Sequence, residues 1–264
     1  MSIHLHQLAA ALYLLAGLVA WTGMALRAAR LERGSVWLLA GAALAHLGAF
    51  ATLHSLEPPP PLTDLPAAVS FMACAGTIFF LAMLRRLRLD GLTVLVAPAA
   101  FVGAFFAALQ LPEAEPAVVA GSGSWPHAHV LLASMGLAFL GVSGMAGMLF
   151  LAEHRRIKAK QPIDAGFPLP TLEALDLANR VSLAVGFPLL TLGVIAGMIW
   201  VQKSQGVVWS GSVHEIWSVI AWTVYAVLAG ARFGASQGSR QAAASAVGGF
   251  AFLCFAVIGV GLLT

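Results

Sequence analysis

Charge is scarce in this chain. Asp, Glu, Lys and Arg make up 9% of its 264 residues, while 60% are hydrophobic. A soluble domain carries about 25% charged residues. The shortage argues against a soluble domain, and the net charge of +3 does not indicate a nucleic-acid partner, because the positive residues sit in short connections between apolar runs. Cysteine is scarcer still. Cys74 and Cys254 form no CxxC, which argues against paired-thiol redox chemistry and cysteine-built metal sites. Both are expected to be small buried residues inside helices. The dyad alternation of a membrane β-barrel is missing. So are the arrays of intramembrane acids that a proton relay or ion pathway needs, and the inverted repeat or paired broken helices of a transporter.

What the chain has is apolar length. Runs of about 20 residues, each long enough to cross a bilayer as a helix, recur throughout. Eight spans are expected, at roughly 8–27, 36–54, 66–84, 92–110, 129–151, 180–201, 214–232 and 243–263. The fold class is therefore all-α, a polytopic transmembrane bundle forming a single membrane domain over residues 1–264. The start, MSIHLHQLAA, lacks the positive n-region of a signal peptide, so the first run is expected to be retained as a helix. Thirteen of the 14 Lys and Arg, among them Arg27, Arg85, Arg155, Lys158, Arg180 and Arg232, fall on one side of this arrangement; only Lys203 falls on the other. The positive-inside rule then places both termini outside, on the periplasmic side of an inner membrane.

That orientation gives the histidines a pattern. His4, His6, His54, His127, His129 and His214 lie at the outer face, His46 lies within span two, and only His154 joins the basic side. A histidine-rich outer face suits a metal or haem ligand set, although histidine also tolerates the interface without any ligand. His46 has small neighbours, Gly41, Ala42, Ala43, Ala45, Gly48 and Ala49, and shares a face with Phe50 and His54. It is either a ligand or a neutral imidazole hydrogen-bonded across helices. In VVWSGSVHEIWSVIAWTVYA, residues 207–226, helical phase gathers His214, Ser218, Trp222 and Tyr225 within about an 80° arc. Trp222 and Tyr225 lie about 12 and 16 Å deeper than His214, below the level where such rings normally sit. Their polar groups need partners there, so the stripe is expected to face the bundle interior. WPHAH offers Trp125, His127 and His129 in the outer loop before span five. Gly141, Gly144 and Gly147, with Gly193 and Gly197, read as sites of close helix approach. Pro188 should kink span six, and the PPPP run 58–61 should be a stiff spacer.

A haem ligand accounts for these features jointly. Imidazoles bind its iron axially and aromatic rings pack on the porphyrin. The absence of CxxCH points to haem b held non-covalently. The candidate ligands to iron are His129, His214 and His46, with Trp125, Trp209, Trp217, Trp222 and Tyr225 as the aromatic surround.

LPTLEALDLANRVSLAVGFPLLTLGVIAGMIW, from residue 169 onward, and HVLLASMGLAFLGVSGMAGMLFLAEHRRIK, residues 129–158, resemble the cytochrome c assembly superfamily. These are haem-handling membrane proteins that include CcsA, CcmC and the HemX and YpjD groups, and the span count and length look most like the last two. The resemblance implies that WVQKSQGVVWSGSVHEIW, residues 200–217, is an outer tryptophan platform. Trp200, Gly206, Trp209, Ser210, Glu215 and Trp217 agree with the family pattern. Gln205 and Gly211 stand where the family has tryptophans, Ser212 where it has aspartate, and His214 where lysine is common. The resemblance also identifies His129 as the outer histidine ahead of the platform. The second outer histidine of the synthases would fall beyond Thr264, and His214 is placed to substitute for it.

The expected function is to hold haem near the outer leaflet for delivery to a partner, with other cytochrome c maturation proteins as partners besides haem and the lipid bilayer. With no catalytic motif and a depleted platform, covalent chemistry is not expected. The alternative is a HemX-like membrane regulator that contacts an enzyme of haem synthesis through EHRRIKAKQPIDAGFPLPTLEALD, without stable haem binding.

Overall fold

The computed structural model describes residues 2–54, 64–110, 124–160 and 170–263. The PPPP run 58–61 lies outside them, as do residues 161–169 of the basic connection. Regular structure among the described residues is entirely helical: α1 (Ser2–Ala25), α2 (Ala29–His54), α3 (Leu65–Leu84), α4 (Thr93–Gln110), α5 (Ser124–Lys158), α6 (Leu172–Gln205), α7 (Val213–Ala229) and α8 (Ser239–Leu263). Each expected span falls on one of them. Seven are long and apolar enough to cross a membrane on the described residues, and the chain is an integral membrane protein. Apolar side chains such as Trp37, Leu44 and Val227 stay exposed, as a lipid-facing surface requires.

The expected ends of α5 and α6 were too short. These helices have 35 and 34 residues, about 50 Å each at the helical rise, against roughly 30 Å of hydrocarbon. The WPHAH run is consequently part of α5 and not a loop. Pro126 is accommodated because the first turn of a helix needs no amide donor from it. At the other end, Arg155, Arg156 and Lys158 fill the last turn, where positive charge complements the exposed carbonyls.

The helices group into two compact units, Met1–Gly121 with Arg155–Ala174, and Ser122–His154 with Leu175–Thr264. In the first unit α1 packs on α2 and α4, and α3 packs on α4 and α2. Small residues set these approaches. A Cβ on Gly17 would lie 3.3 Å from Pro98 Cγ, and one on Gly103 would lie 2.8 Å from Ala73 Cβ. Glu32, buried near the start of α2, accepts a hydrogen bond from the Gly91 amide at 2.8 Å and ties α2 to the entry of α4.

The second unit is built around α5. Its most apolar window is 72% buried, against 11% for α7, so α5 forms the centre while α7 presents most of its surface outward. Glycines line both contact faces of α5. Gly136 and Gly186 oppose one another across α5 and α6, and a Cβ on Gly136 would fall 2.5 Å from the Leu190 amide nitrogen. Gly144 and Gly147 receive Phe250 and the Ala243 carbonyl of α8. Leu140, Leu183, Leu190, Tyr225 and Ala229 form the core beneath.

After α7 the chain makes a π-helical turn, Gly230–Gly234. Arg232 sits in it and was expected among the cations of the connection after span seven. It is instead buried, with Nη2 2.7 Å from both Asp176 carboxylate oxygens and Nη1 donating to the Gln237 carbonyl at 3.1 Å. The cysteine expectation holds for Cys74, which is buried, and fails for Cys254, which is exposed. Position 254 lies on the outward face of α8 beside exposed Phe255, a surface suited to lipid where a small apolar thiol needs no burial.

Candidate functional site

One end of the second unit collects the residue types that can address a flat, metal-bearing ligand. His129 lies in the second turn of α5. Its Nδ1 is 2.8 Å from the Gly193 carbonyl of α6. A carbonyl only accepts, so Nδ1 carries a proton, and the neutral ring then has its lone pair on Nε2. This is how a metal-ligating imidazole is normally oriented, by a hydrogen bond from its other nitrogen.

Two glycines make that contact fit. A Cβ on Gly193 would stand 2.6 Å from the Ala133 amide nitrogen, and one on Gly197 would stand 2.7 Å from His129 Nδ1. The spacing that reads in sequence as helix packing is also a notch for an imidazole. The His214 ring lies 5.9 Å from that of His129, edge-on at 81°. Trp200 of α6 closes a third side, 6.2 Å away and tilted by 41°. One turn before His129, Trp125 carries Lys203 Nζ 5.0 Å from its ring centroid.

The segment between α6 and α7 is fixed by a residue whose role was missed in the sequence. Ser212 caps α7 and accepts from the Glu215 amide at 3.3 Å. The Glu215 carboxylate reaches back to accept from the amides of Ser210 (2.8 Å) and Gly211 (2.9 Å) and from the Ser210 hydroxyl (2.8 Å). The S-x-x-E signature of a capping box was legible at 212–215. It sets where α7 begins and therefore where His214 stands. Gly206 and Gly211 take positive φ of 76° and 74° at the bends of this segment, a conformation glycine adopts at little cost.

Other candidates are placed elsewhere. Trp209 is exposed on the connecting segment. Trp217 packs on Phe252 and Phe255 of α8, 6.2 and 5.6 Å away, and so joins α7 to α8. Trp222 donates its indole N–H to Thr191 Oγ1 at 3.0 Å and lies against Phe187, which joins α7 to α6. Tyr225 is 2% exposed. It borders a cavity of about 10 Å³ with Asn179, Arg232 and Gln237, room for about one water and none for a macrocycle. The 214–225 stripe thus turns inward only with depth: His214 is exposed, Ser218 and Trp222 half-buried, Tyr225 buried.

His46 belongs to the first unit and has a different setting. It is fully buried. Its Nδ1 lies 3.3 Å from the Tyr13 hydroxyl and its Nε2 2.7 Å from Ser70 Oγ. Phe50 stacks on the ring at 5.3 Å and His6 meets it edge-on at 5.3 Å. Both nitrogens are engaged by protein hydroxyls, the cross-helix arrangement weighed above for this residue.

The second unit therefore presents two imidazoles, one with its tautomer set, beside tryptophans at the end of a helical membrane bundle. That number suits an iron already held by four porphyrin nitrogens; among the described residues no group of three or more His, Cys, Asp or Glu is placed to hold a bare metal ion. The family model described as Cytochrome C assembly protein matches residues 62–264, and the chain belongs to that family. The cytochrome c biogenesis protein CcsA of Prochlorococcus marinus (strain MIT 9313) is 30% identical over 232 residues, covering 77% of this chain and 73% of its own length. CcsA of Synechococcus sp. (strain JA-3-3Ab) is 28% identical over 260 residues, with 77% and 75% covered. The solved structure of Cytochrome c Heme Lyase CcmF superposes with a TM-score of 0.74 at 19% identity, covering 97% of this chain and 46% of that one. The fold is shared, and this chain spans less than half the length of CcmF.

Proposed function

We propose that this cytochrome c assembly protein handles haem, holding it non-covalently at the outer end of the second unit and presenting it to another protein of cytochrome c maturation. The observation that carries the reading is the state of His129, whose Nδ1–H is anchored to the Gly193 carbonyl while Nε2 keeps its lone pair, with His214 5.9 Å away. His129 and His214 are the candidate axial ligands. Trp200, and Trp125 one turn from His129, supply aromatic surface for the porphyrin. Ligation would stabilise the bound haem and tune its redox state; the protein need perform no covalent step. His46 supports the first unit through Tyr13 and Ser70.

The charge asymmetry supports an orientation with both termini and this site on the periplasmic side of an inner membrane. Purified protein supplied with haem should show a Soret band. His129→Ala and His214→Ala should each weaken or shift it, and His46→Ala should leave its position unchanged. A parent without a Soret band, or a band indifferent to both outer substitutions, overturns the reading.

A second reading keeps a specific basis. Gln205, Gly211 and Ser212 depart from the family's platform, and Trp209 is exposed and packs on no other aromatic ring among the described residues. A HemX-like regulator that contacts an enzyme of haem synthesis through the basic connection after α5 would tolerate both. Crosslinking from Arg155 or Arg156 to a cytoplasmic enzyme, in a protein that takes up no haem, would favour it.

A further inference from the structure

Lys203 is the one Lys or Arg of the chain that falls among the outer histidines. The structure places it at the candidate site. Lys203 follows Trp200 by three residues on α6, so the two share a face, and Trp200 lies 6.2 Å from His129. Its ammonium stands 5.0 Å from the centroid of Trp125, and Trp125 precedes His129 by one turn on α5. The Trp125 ring face attracts and holds the cation, and an ammonium so placed keeps donors for an incoming acceptor.

Lys203 makes no ion pair among the described residues, and the neighbouring acid on this segment, Glu215, spends its oxygens on Ser210 and Gly211. Among the described residues Lys203 is thus a positioned, exposed cation without an anion, near Trp125, Trp200 and His129. We infer that Lys203 recognises a carboxylate of the ligand bound at this site. The inference rests on the haem reading, under which that carboxylate is a propionate and Lys203 fixes which edge of the macrocycle faces water. The competing role is a lysine that reaches out to lipid phosphate.

The test compares haem with its dimethyl ester, which keeps the iron and ring and lacks both negative charges. Each is titrated in a non-ionic detergent by absorption at the Soret band. The parent should bind haem more tightly than the ester. Lys203→Ala should weaken haem by about fivefold, the scale of a solvent-exposed ion pair, and leave the ester unchanged. Lys203→Arg should restore the difference, and raised salt should shrink it. A parent that binds both ligands equally overturns the inference and leaves the haem reading standing. Equal weakening of both ligands in Lys203→Ala overturns it too, because the lysine would then act only by packing on Trp125. An effect of Lys203→Ala that appears only when anionic lipid is added assigns the residue to phosphate and overturns it. A parent that binds neither ligand removes the haem reading, and this inference with it.

Discussion

His46 and His129 are the same residue in the same kind of helix, and the two units use them in opposite ways. His46 is sealed in a core, and both ring nitrogens meet hydroxyls of neighbouring helices. His129 is only half-buried, and one nitrogen is tied to a backbone carbonyl while the other has no hydrogen-bond partner among the described residues. The first arrangement satisfies a buried imidazole completely and so stabilises packing. The second engages one ring nitrogen only among the described residues, which is what the proposed ligand role needs. Depth in the span singled out His46 in the sequence but left it open between a ligand and an imidazole hydrogen-bonded across helices. The count of engaged nitrogens separates the two.

The largest expected effect comes from removing the notch itself. Gly193→Ala places a methyl against the Ala133 backbone, where neither helix can yield without moving. It should cost about 3 kcal/mol of stability, read as a lowered unfolding midpoint in detergent, and should also abolish the Soret response by separating His129 from its anchor. The two histidines themselves should then dissociate the readouts. His46→Ala strands Tyr13 and Ser70 and should destabilise the protein by about 2 kcal/mol without shifting the Soret maximum. His129→Ala gives up one hydrogen bond, about 1 kcal/mol, yet should disturb the Soret band more than any other single histidine change. If the two substitutions affect stability and spectrum in the same proportion, the two histidines do not differ in role. The smallest effect is expected at Glu215→Gln, which keeps shape and removes charge. Binding should weaken a few-fold as the 206–212 segment loosens, with Trp209 fluorescence more accessible to an aqueous quencher and the unfolding midpoint nearly unmoved.

Much of the fold was legible because a membrane imposes simple demands. Apolar length announces each helix, since backbone groups in hydrocarbon must be satisfied within the segment, and every expected span recurs as a helix. The errors fell where lipid stops dictating. WPHAH reads as a loop because it is polar, but a helix can extend past the bilayer, and doing so puts Trp125 and His129 on one face. Arg232 reads as a loop cation because it follows an apolar run, but the π-helical turn buries it against Asp176, which is 56 positions away in sequence.

The candidate site was half legible. His129, His214 and Trp125 lie together at one end of the second unit, whereas Trp217, Trp222 and Tyr225 share the stretch with His214 and make other contacts, and Trp209 is exposed. Helical phase places residues on a face of their own helix and says nothing of which helix that face meets. Thr191 takes the Trp222 indole, and α8 takes Trp217, through pairings no periodicity encodes. Gly193 and Gly197 looked like packing residues, and they are; that a histidine fills the space they leave depends on the register between α5 and α6.

Composition and spacing were thus enough to set the class of protein, the helices and the charge asymmetry, because hydrophobic length and charge placement act locally along the chain. The tautomer of His129, its approach to His214, the enclosure of His46 and the seat of Lys203 on Trp125 required the packed helices, because each rests on a contact between residues far apart in sequence.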